Sequence, residues 1–576
     1  MNQMGKKVLM ALVVAGFIAG CDSGDINIEP TTIDNSVDNS TSGSGAGTTN
    51  PCAAYSNSGG QTIQGSYDGL DCTYAPSFVD VGNNLSTDLT LPRLPDGGVH
   101  LFQGSLFVGE SFDSDAELTA AGIAEGGDGP VLTVEAGVTV AFAGETNFIQ
   151  INRGSQVFAV GTLTSPITFT SQSDVESRRT VASGGAPTLA YNAITEWGGM
   201  VINGFGITNA CSYTGTRTFD ADGVPDDSGI ELAAPCHVEA EGSEGATESH
   251  YGGDNNADNS GRLEYVRVKH TGGQVVEGDD LNGIAFDAVG RTTIVRNLEI
   301  YSTFDDGIEI FGGEVSIENF VALYVRDDSI DLDNGWAGSI TNALVIQDAT
   351  TGAHCIESDG IGSYSSLDQA TRDDFIARGL NTRARISNLT CLISAEDAAS
   401  NTPHDRGTGW RIREAHFPRI SDTMVVPVGP DSAENNYCLR IDNTETLQAA
   451  QDGDIMFSSV LFAPCPDRTN GGVLPNGMTV EAWAAANGAQ FATAASNLDP
   501  TATADTGLVL LEGSPAIYSV PFATMVVDSA APTIAAPASH IGAVLMSDDW
   551  TTNWTYGIHP GLRAPDSETD GLLWFE

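Results

Sequence analysis

The 576-residue chain carries 76 acidic side chains against 24 basic ones, a formal charge of −52, with 41% hydrophobic residues. Such an acidic surface repels nucleic acid and anionic lipid head groups and attracts divalent cations, which excludes nucleic-acid binding. A folded length of this size implies several domains unless the fold grows by repetition.

Residues 1–20 read as an export signal: Lys6 and Lys7, an apolar run from Val8 to Phe17, and the small-residue ending Ile18-Ala19-Gly20 before Cys21. The run is too short to span a bilayer. Its ending resembles the lipobox of bacterial lipoproteins, which implies that Cys21 is acylated and becomes the mature N-terminus. Membrane attachment is then expected through this lipid alone, in the cell envelope; the outer membrane is favoured over the inner, while Asp22 after Cys21, which in enteric bacteria tends to hold lipoproteins at the inner membrane, leaves the choice of membrane open. Removing the signal leaves 22 basic residues, a charge of −54, and Lys269 as the only lysine. Residues 21–50 are Ser, Thr, Asn, Gly and Asp with little to bury, so a disordered tether with a reach of about 30 Å is expected.

Folding is expected to begin near Pro51, with an N-terminal cap region over 51–130 and strands from residue 131. "VLTVEAGVTVAF" from Val131 and "FIQINRGSQVFAVGTL" from Phe148 alternate at period two with Gly at the bends. Eight cysteines follow Cys21 in sequence-adjacent couples: Cys52 and Cys72, Cys211 and Cys236, Cys355 and Cys391, Cys438 and Cys465. In an exported chain they read as disulfides, and pairing of nearest neighbours rests on the short loops it closes. "FDADGVPDDSGIE" places Asp220, Asp222, Asp226 and Glu231 at positions 1, 3, 7 and 12 of an EF-hand-like spacing, with Val224 and Pro225 breaking the consensus. The run resembles a thrombospondin type 3 calcium repeat. Both a calcium site and a plain acidic loop remain open. His237, Glu239, Glu241, His250 and Asp254 match no zinc spacing and read as surface.

From Asn282 a repeat emerges. Gly283-Ile284-Ala285-Phe286, Gly307-Ile308-Glu309-Ile310, Ser329-Ile330-Asp331-Leu332 and Cys355-Ile356-Glu357-Ser358 recur at steps of 24, 22 and 26 residues, and Asn297, Asn319, Asn342 and Asn388 hold one place in the strands between. That register predicts an all-β, right-handed parallel β-helix over 131–475, one coil per repeat. Equal positions in successive coils then stack at about 4.8 Å. Glu309 falls over Asp331 and Glu357, and Asp305 and Asp306 over Asp327 and Asp328. Stacked carboxylates need splay into water, a raised pKa or a bound cation such as Ca²⁺, or they perform catalysis. Glu309 and Asp331 are the ladder's candidate metal ligands.

Helical periodicity interrupts the coils at "SLDQATRDDFIARG", with Ser366 as candidate N-cap and Gly379 as stop, and at "TVEAWAAANG" from Thr479, where a C-terminal cap region over 476–576 is expected. Trp550, Trp554 and Tyr556 are expected to seal the core there, with stacking on sugars as the alternative.

Two resemblances bear on function. "FDDG", "RDDSIDLDNG", "AHCIESDG" and "GWRIRE" occur in the order in which polygalacturonase-type glycoside hydrolases show an Asp, an Asp pair, a His and an Arg-x-Lys. This similarity implies catalytic roles for Asp306, Asp327, Asp328, His354 and Arg411, although Arg413 stands where Lys is expected. More widely, "EWGGMVING", "YGGDNNADNSGRLEYVRV", "DDGIEIFGG", "DDSIDLDNGWAG" and "DDWTTNWTYGI" resemble a family of exported β-helix lipoproteins of Gram-negative, often marine, bacteria without an established activity. A lipid-anchored, calcium-stabilised, polysaccharide-binding protein is the expectation, with an outer-membrane transporter as a possible partner. A polysaccharide-cleaving hydrolase and a structural or adhesion protein are the alternatives.

Overall fold

The computed structural model describes residues 50–559, apart from 124–125, 243–248, 277–278, 349–350, 395–407, 429–436, 463–464, 466, 492–519, 522–539 and 546. The export signal, Cys21 and the tether lie outside the described residues. Residues from Asn50 onward form one compact unit. No described helix is long and apolar enough to cross a membrane.

The chain alternates between two long sheets, giving from Gly261 onward one strand to each per coil, whereas in the earlier coils the second sheet's strand is split in two, as in Gln156–Val160 and Ile167–Ser171. The first sheet has ten strands, among them Gly199–Asn203, Ile284–Asp287, Ile308–Phe311, Ile330–Asp333, His354–Asp359, Thr408–Arg413 and Tyr437–Ile441 in spatial sequence. The second contains Gly261–Thr271, Ile294–Thr303, Ser316–Leu323, Ser339–Ile346, Arg385–Ser394, Arg419–Val428 and Met456–Phe462, again neighbour upon neighbour. Pairing between successive coils is parallel throughout these runs. This is a parallel β-helix, and its coils extend N-terminal of residue 131, since Cys72–Tyr74 pairs in parallel with His100–Phe102.

Period-two alternation decides what each strand buries. Ile308 pairs with Ile330 and Ile310 with Leu332, all fully buried, while Glu309 pairs with Asp331 on the outside. At about 25 cal/mol per Å² of apolar surface, each such column of aliphatic side chains stabilises the stack in proportion to its length. In the N-terminal coils the column is aromatic: Tyr74, Phe102, Phe142 and Trp197 follow one another at centroid spacings of 4.5, 5.7 and 4.7 Å.

The recurring asparagine marks the corner of the second sheet's strands. Asn297, Asn319, Asn342 and Asn388 all have φ between 52° and 60°, a left-handed conformation that Asn tolerates better than most side chains. Each bends its strand, and the amides interlock: Asn342 Nδ2 donates to Asn319 Oδ1 at 2.9 Å and Asn388 Nδ2 to Asn342 Oδ1 at 3.0 Å.

Two excursions pack outside the coils. Between Asn203 and Gly261 the chain forms short antiparallel pairs, such as Tyr213–Gly215 with Ile230–Leu232. Its Ala240 and Tyr251 cover Val201, Ala285 and Phe311 of the first sheet. The second carries the helix Gln369–Ala377, whose N-cap is Asp368 and not Ser366. Ser366 ends a preceding 3-10 turn, while the Asp368 carboxylate accepts the Thr371 amide at 2.8 Å. Gly379 does end this helix, at φ 67°. The helix after Thr479 spans Val480–Ala486 and is capped by the Thr479 hydroxyl.

All four expected disulfides join nearest neighbours. The late aromatics depart from expectation. Trp554 and Tyr556 do not close the last coil but lie along the outer face of the second sheet against Tyr301, Leu323 and Leu344. That face carries apolar residues beyond the asparagine corner, and a returning segment covers them more fully than an end cap would.

Candidate functional site

Three columns converge on one edge and the outer face of the first sheet. The corner column comprises Asn282, Asp306, Asp328 and His354, and each coil grips the next through its backbone. Asp306 N donates to Asn282 Oδ1 at 3.0 Å, Asp328 N to Asp306 Oδ1 at 3.0 Å, and His354 N to Asp328 Oδ1 at 2.7 Å. The same Asp328 oxygen lies 2.6 Å from His354 Nδ1. Asp306, Asp328 and His354 are only 7%, 3% and 1% exposed. Gly307 follows Asp306 because a Cβ there would sit 2.5 Å from the Ser329 carbonyl.

The second column faces outward: Glu309, Asp331 and Glu357 in register, then Arg411 and Arg440. The third, two residues along, holds Asp287, Phe311, Asp333, Asp359 and Arg413. Acid gives way to base along the solenoid axis, and the junction is paired. Arg411 Nη1 meets Glu357 Oε1 at 2.6 Å and Arg411 Nε meets Asp442 at 3.3 Å, while Arg413 binds Asp359 and reaches Glu357 at 3.2 Å. Charge-assisted, partly buried pairs of this kind are the strong ones.

Upstream of the junction the carboxylates face one another. Burial pushes Asp306, Glu309, Asp331 and Asp333 well above the usual carboxylate range. Asp305 adds to the effect on Asp306, Glu241 to that on Glu309, Glu357 to that on Asp331 and Asp359 to that on Asp333. At Glu357 burial acts the same way, but His354, Arg413 and Arg411 overcome it and hold the carboxyl at about 2.

Two sets of ligand oxygens in this region lie within 4.8 Å of one another, Asp305 with Asp306 and Asp327, and Asp306 with Glu309 and Asp331; a third set joins Asp328, His354 and Glu357. The first two are all-oxygen, the donor type that hard cations such as Ca²⁺ take. The sequence-derived residues therefore come together in a new combination: the metal candidates Glu309 and Asp331 share Asp306 with the catalytic candidates. Arg411 stands apart from them on Glu357.

Asp220, Asp222, Asp226 and Glu231 join none of these groupings. Thr218–Phe219 pairs with Pro225–Asp226 as a tight hairpin, so the Asp220 carboxylate accepts the amides of Asp222 and Val224 at 2.9 Å each, and Asp226 accepts that of Ser228 at 3.0 Å. Glu231 lies in a different strand pair, opposite Thr214. Turn formation takes one oxygen of Asp220 and one of Asp226, and the strand pairing separates Glu231 from them.

Beside the third column, a cleft of about 710 Å³ opens between the two excursions, bordered by Asp333, Asn334, Tyr213, Tyr251, Phe375 and Arg378. Asp333 and Asp359 were not singled out from the sequence. They stand two residues after Asp331 and Glu357, so period two in "DLD" and "ESD" was the signal available. Tyr213 and Tyr251 arrive from an excursion whose docking no local pattern announces.

A family model described as a pectate-lyase-like β-helix domain matches residues 112–499, which takes in all three columns and both excursions. No curated protein matches the chain.

Proposed function

Because the chain belongs to the pectate-lyase-like β-helix family, we propose that it acts on polysaccharide, binding the sugar chain across the outer columns of the first sheet with Ca²⁺ held among the acids. The observation that carries this reading is the division between locked and accessible carboxylates. Asp328 and His354 are buried and spent on one another, and buried Asp306 gives one oxygen to the Asp328 amide while its carboxylate also approaches Glu309 and Asp331; Glu309, Asp331 and Asp333 are half-buried, and Asp333 borders a cleft with tyrosines and an arginine. Aromatic faces with a few convergent polar groups are what a sugar site requires. A Ca²⁺ ion coordinated by Asp306, Glu309 and Asp331 would relieve their repulsion and bridge to an acidic sugar. The coils are taken to wind right-handed, the sense parallel crossovers adopt almost without exception. Acylated Cys21 and the tether behind it would hold the β-helix at the outer membrane, within reach of a transporter. Replacing Cys21 by Ser would then move the protein from the detergent phase to the aqueous phase on partition.

Titration of polygalacturonate and neutral glycans into the protein, with Ca²⁺ and with chelator, tests the binding reading. Calcium-dependent binding lost in Asp331→Asn is expected, and no binding to any of them overturns it. One observation favours cleavage as a second reading: Asp331, whose carboxyl burial and Glu357 push well above the usual range, lies in register with Glu357, which His354, Arg413 and Arg411 hold at about 2, the separation an acid and base pair needs. Release of reducing ends, abolished by Asp331→Asn, would establish that alternative.

A further inference from the structure

On the outer face of the second sheet, before the asparagine corner, Arg385 and Arg419 occupy equal positions in adjacent coils. Side chains so placed stack at about 4.8 Å, and two guanidinium groups at that spacing repel. In a chain with three carboxylates for every basic residue, pairing partners are abundant. Neither arginine forms an ion pair with a described residue. Arg419 donates to the Ala221 carbonyl. Arg385 makes no side-chain hydrogen bond among the described residues, and its Nε is buried without a partner, an arrangement that is costly for a charged group.

Glu314 and Asp220 act on Arg385 only at a distance. The acidic hairpin overhangs the pair, with Asp222 bordering the groove and Asp220 held in its own turn, yet neither carboxylate forms an ion pair with Arg385 or Arg419. Arg385 and Arg419 instead line a groove of about 560 Å³ together with Thr341, Ser387, Ser421 and Ser458. These last three side chains follow one another up the coils in register. The hydroxyls of Ser421 and Ser458 have no hydrogen-bond partner among the described residues. One guanidinium with its Nε unpartnered, beside a second bonded only to a backbone carbonyl, next to a column of hydroxyls forms a recognition surface for an oxyanion.

We propose that this groove binds an oxyanion carried on a sugar, the sulfate ester or carboxylate of an acidic glycan. The anion site stands by itself, while the sugar rests on the polysaccharide reading above. The groove is on the other sheet from the acidic columns, so one glycan chain would meet opposite charge at two separate places on the solenoid.

Calorimetric titration of inorganic sulfate, galactose 6-sulfate and galacturonate into the full-length protein at constant ionic strength tests this. Saturable sulfate binding is expected, weakened at least about tenfold in Arg385→Gln and less in Arg385→Lys. Tighter binding of galactose 6-sulfate identifies the sulfate ester, and tighter binding of galacturonate the carboxylate. Sulfate binding with neither sugar binding more tightly overturns the sugar assignment but keeps the anion site. Absence of saturable sulfate binding, or an unchanged affinity in Arg385→Gln of wild-type Tm, overturns the site itself. Ser421→Leu, which fills the groove without removing charge, should abolish binding as Arg385→Gln does.

Discussion

On the second sheet, Asn319, Asn342 and Asn388 stack coil upon coil and pass amide hydrogens upward. On the first, Glu309, Asp331 and Glu357 stack in the same register with only acceptors to offer. The geometry is one and the energetics are opposite. A side chain that both donates and accepts turns repetition into a hydrogen-bonded column. A side chain that only accepts turns it into a demand for positive charge, met by Arg411 and Arg413 at one end and left open at Glu309 and Asp331. Repetition alone does not stabilise a solenoid; what is repeated decides the sign.

The comparison breaks most visibly at Asn342. Replacing it by Leu removes both amide contacts and places a bulky side chain at φ 58°. The expected loss is about 3 kcal/mol, seen as a lower denaturant midpoint. Asn342→Asp converts part of one column into the other and should cost about 2 kcal/mol, with the loss growing from pH 4 to 7. Calcium sharpens the contrast from the other side. At a hundred times its Kd the ion should add about 2.7 kcal/mol to the chelator-treated protein, read as a rise in Tm, and Asp331→Asn should diminish that rise. In chelator, however, Asp331→Asn should itself stabilise by about 1 kcal/mol, because it removes one of several facing charges.

The smallest effect is the pH profile of the metal-free protein. Groups such as Glu309, Asp331 and Asp333, whose folded pKa lies above the unfolded value near 4, bind more protons when folded. Stability therefore falls as pH rises above that value. Glu357, held at about 2, acts in the opposite sense, its contribution being lost as pH falls from about 4 to about 2. A stability maximum in chelator near pH 4–5 is expected, and a maximum at neutral pH would contradict the facing of these acids.

The coil register was legible because "DDGIEI" and "DDSIDL" repeat acids and aliphatics together, and the pairing of Glu309 with Asp331 followed from it directly. The asparagine positions and nearest-neighbour disulfides were legible for the same reason: each is a short-range consequence of a fixed lap length. What the sequence concealed depends on contacts between distant segments. The helix Gln172–Ala182 has few apolar residues to mark a face, and its buried Asp174 meets Lys269, 3.1 Å away and 95 residues later, with His270 beside it. The locking of Asp328 by His354 likewise needs two coils in place at once. Residue type identified the catalytic candidates but not their burial.

The returning C-terminal segment touches coils far apart along the axis. Gly542 N donates to the Asp422 carbonyl, Ala543 N to Thr390, and Tyr556 N to Glu299, while the Lys269 ammonium sits 3.6 Å above the Tyr556 ring. A stack of laps held only by nearest neighbours peels from its ends. A lengthwise clasp ties the interior laps to a single event, because none between residues 269 and 422 can open freely until the clasp lifts. It also sets an order of assembly, since a segment that follows the laps in the chain has nowhere to dock until those beneath it have formed.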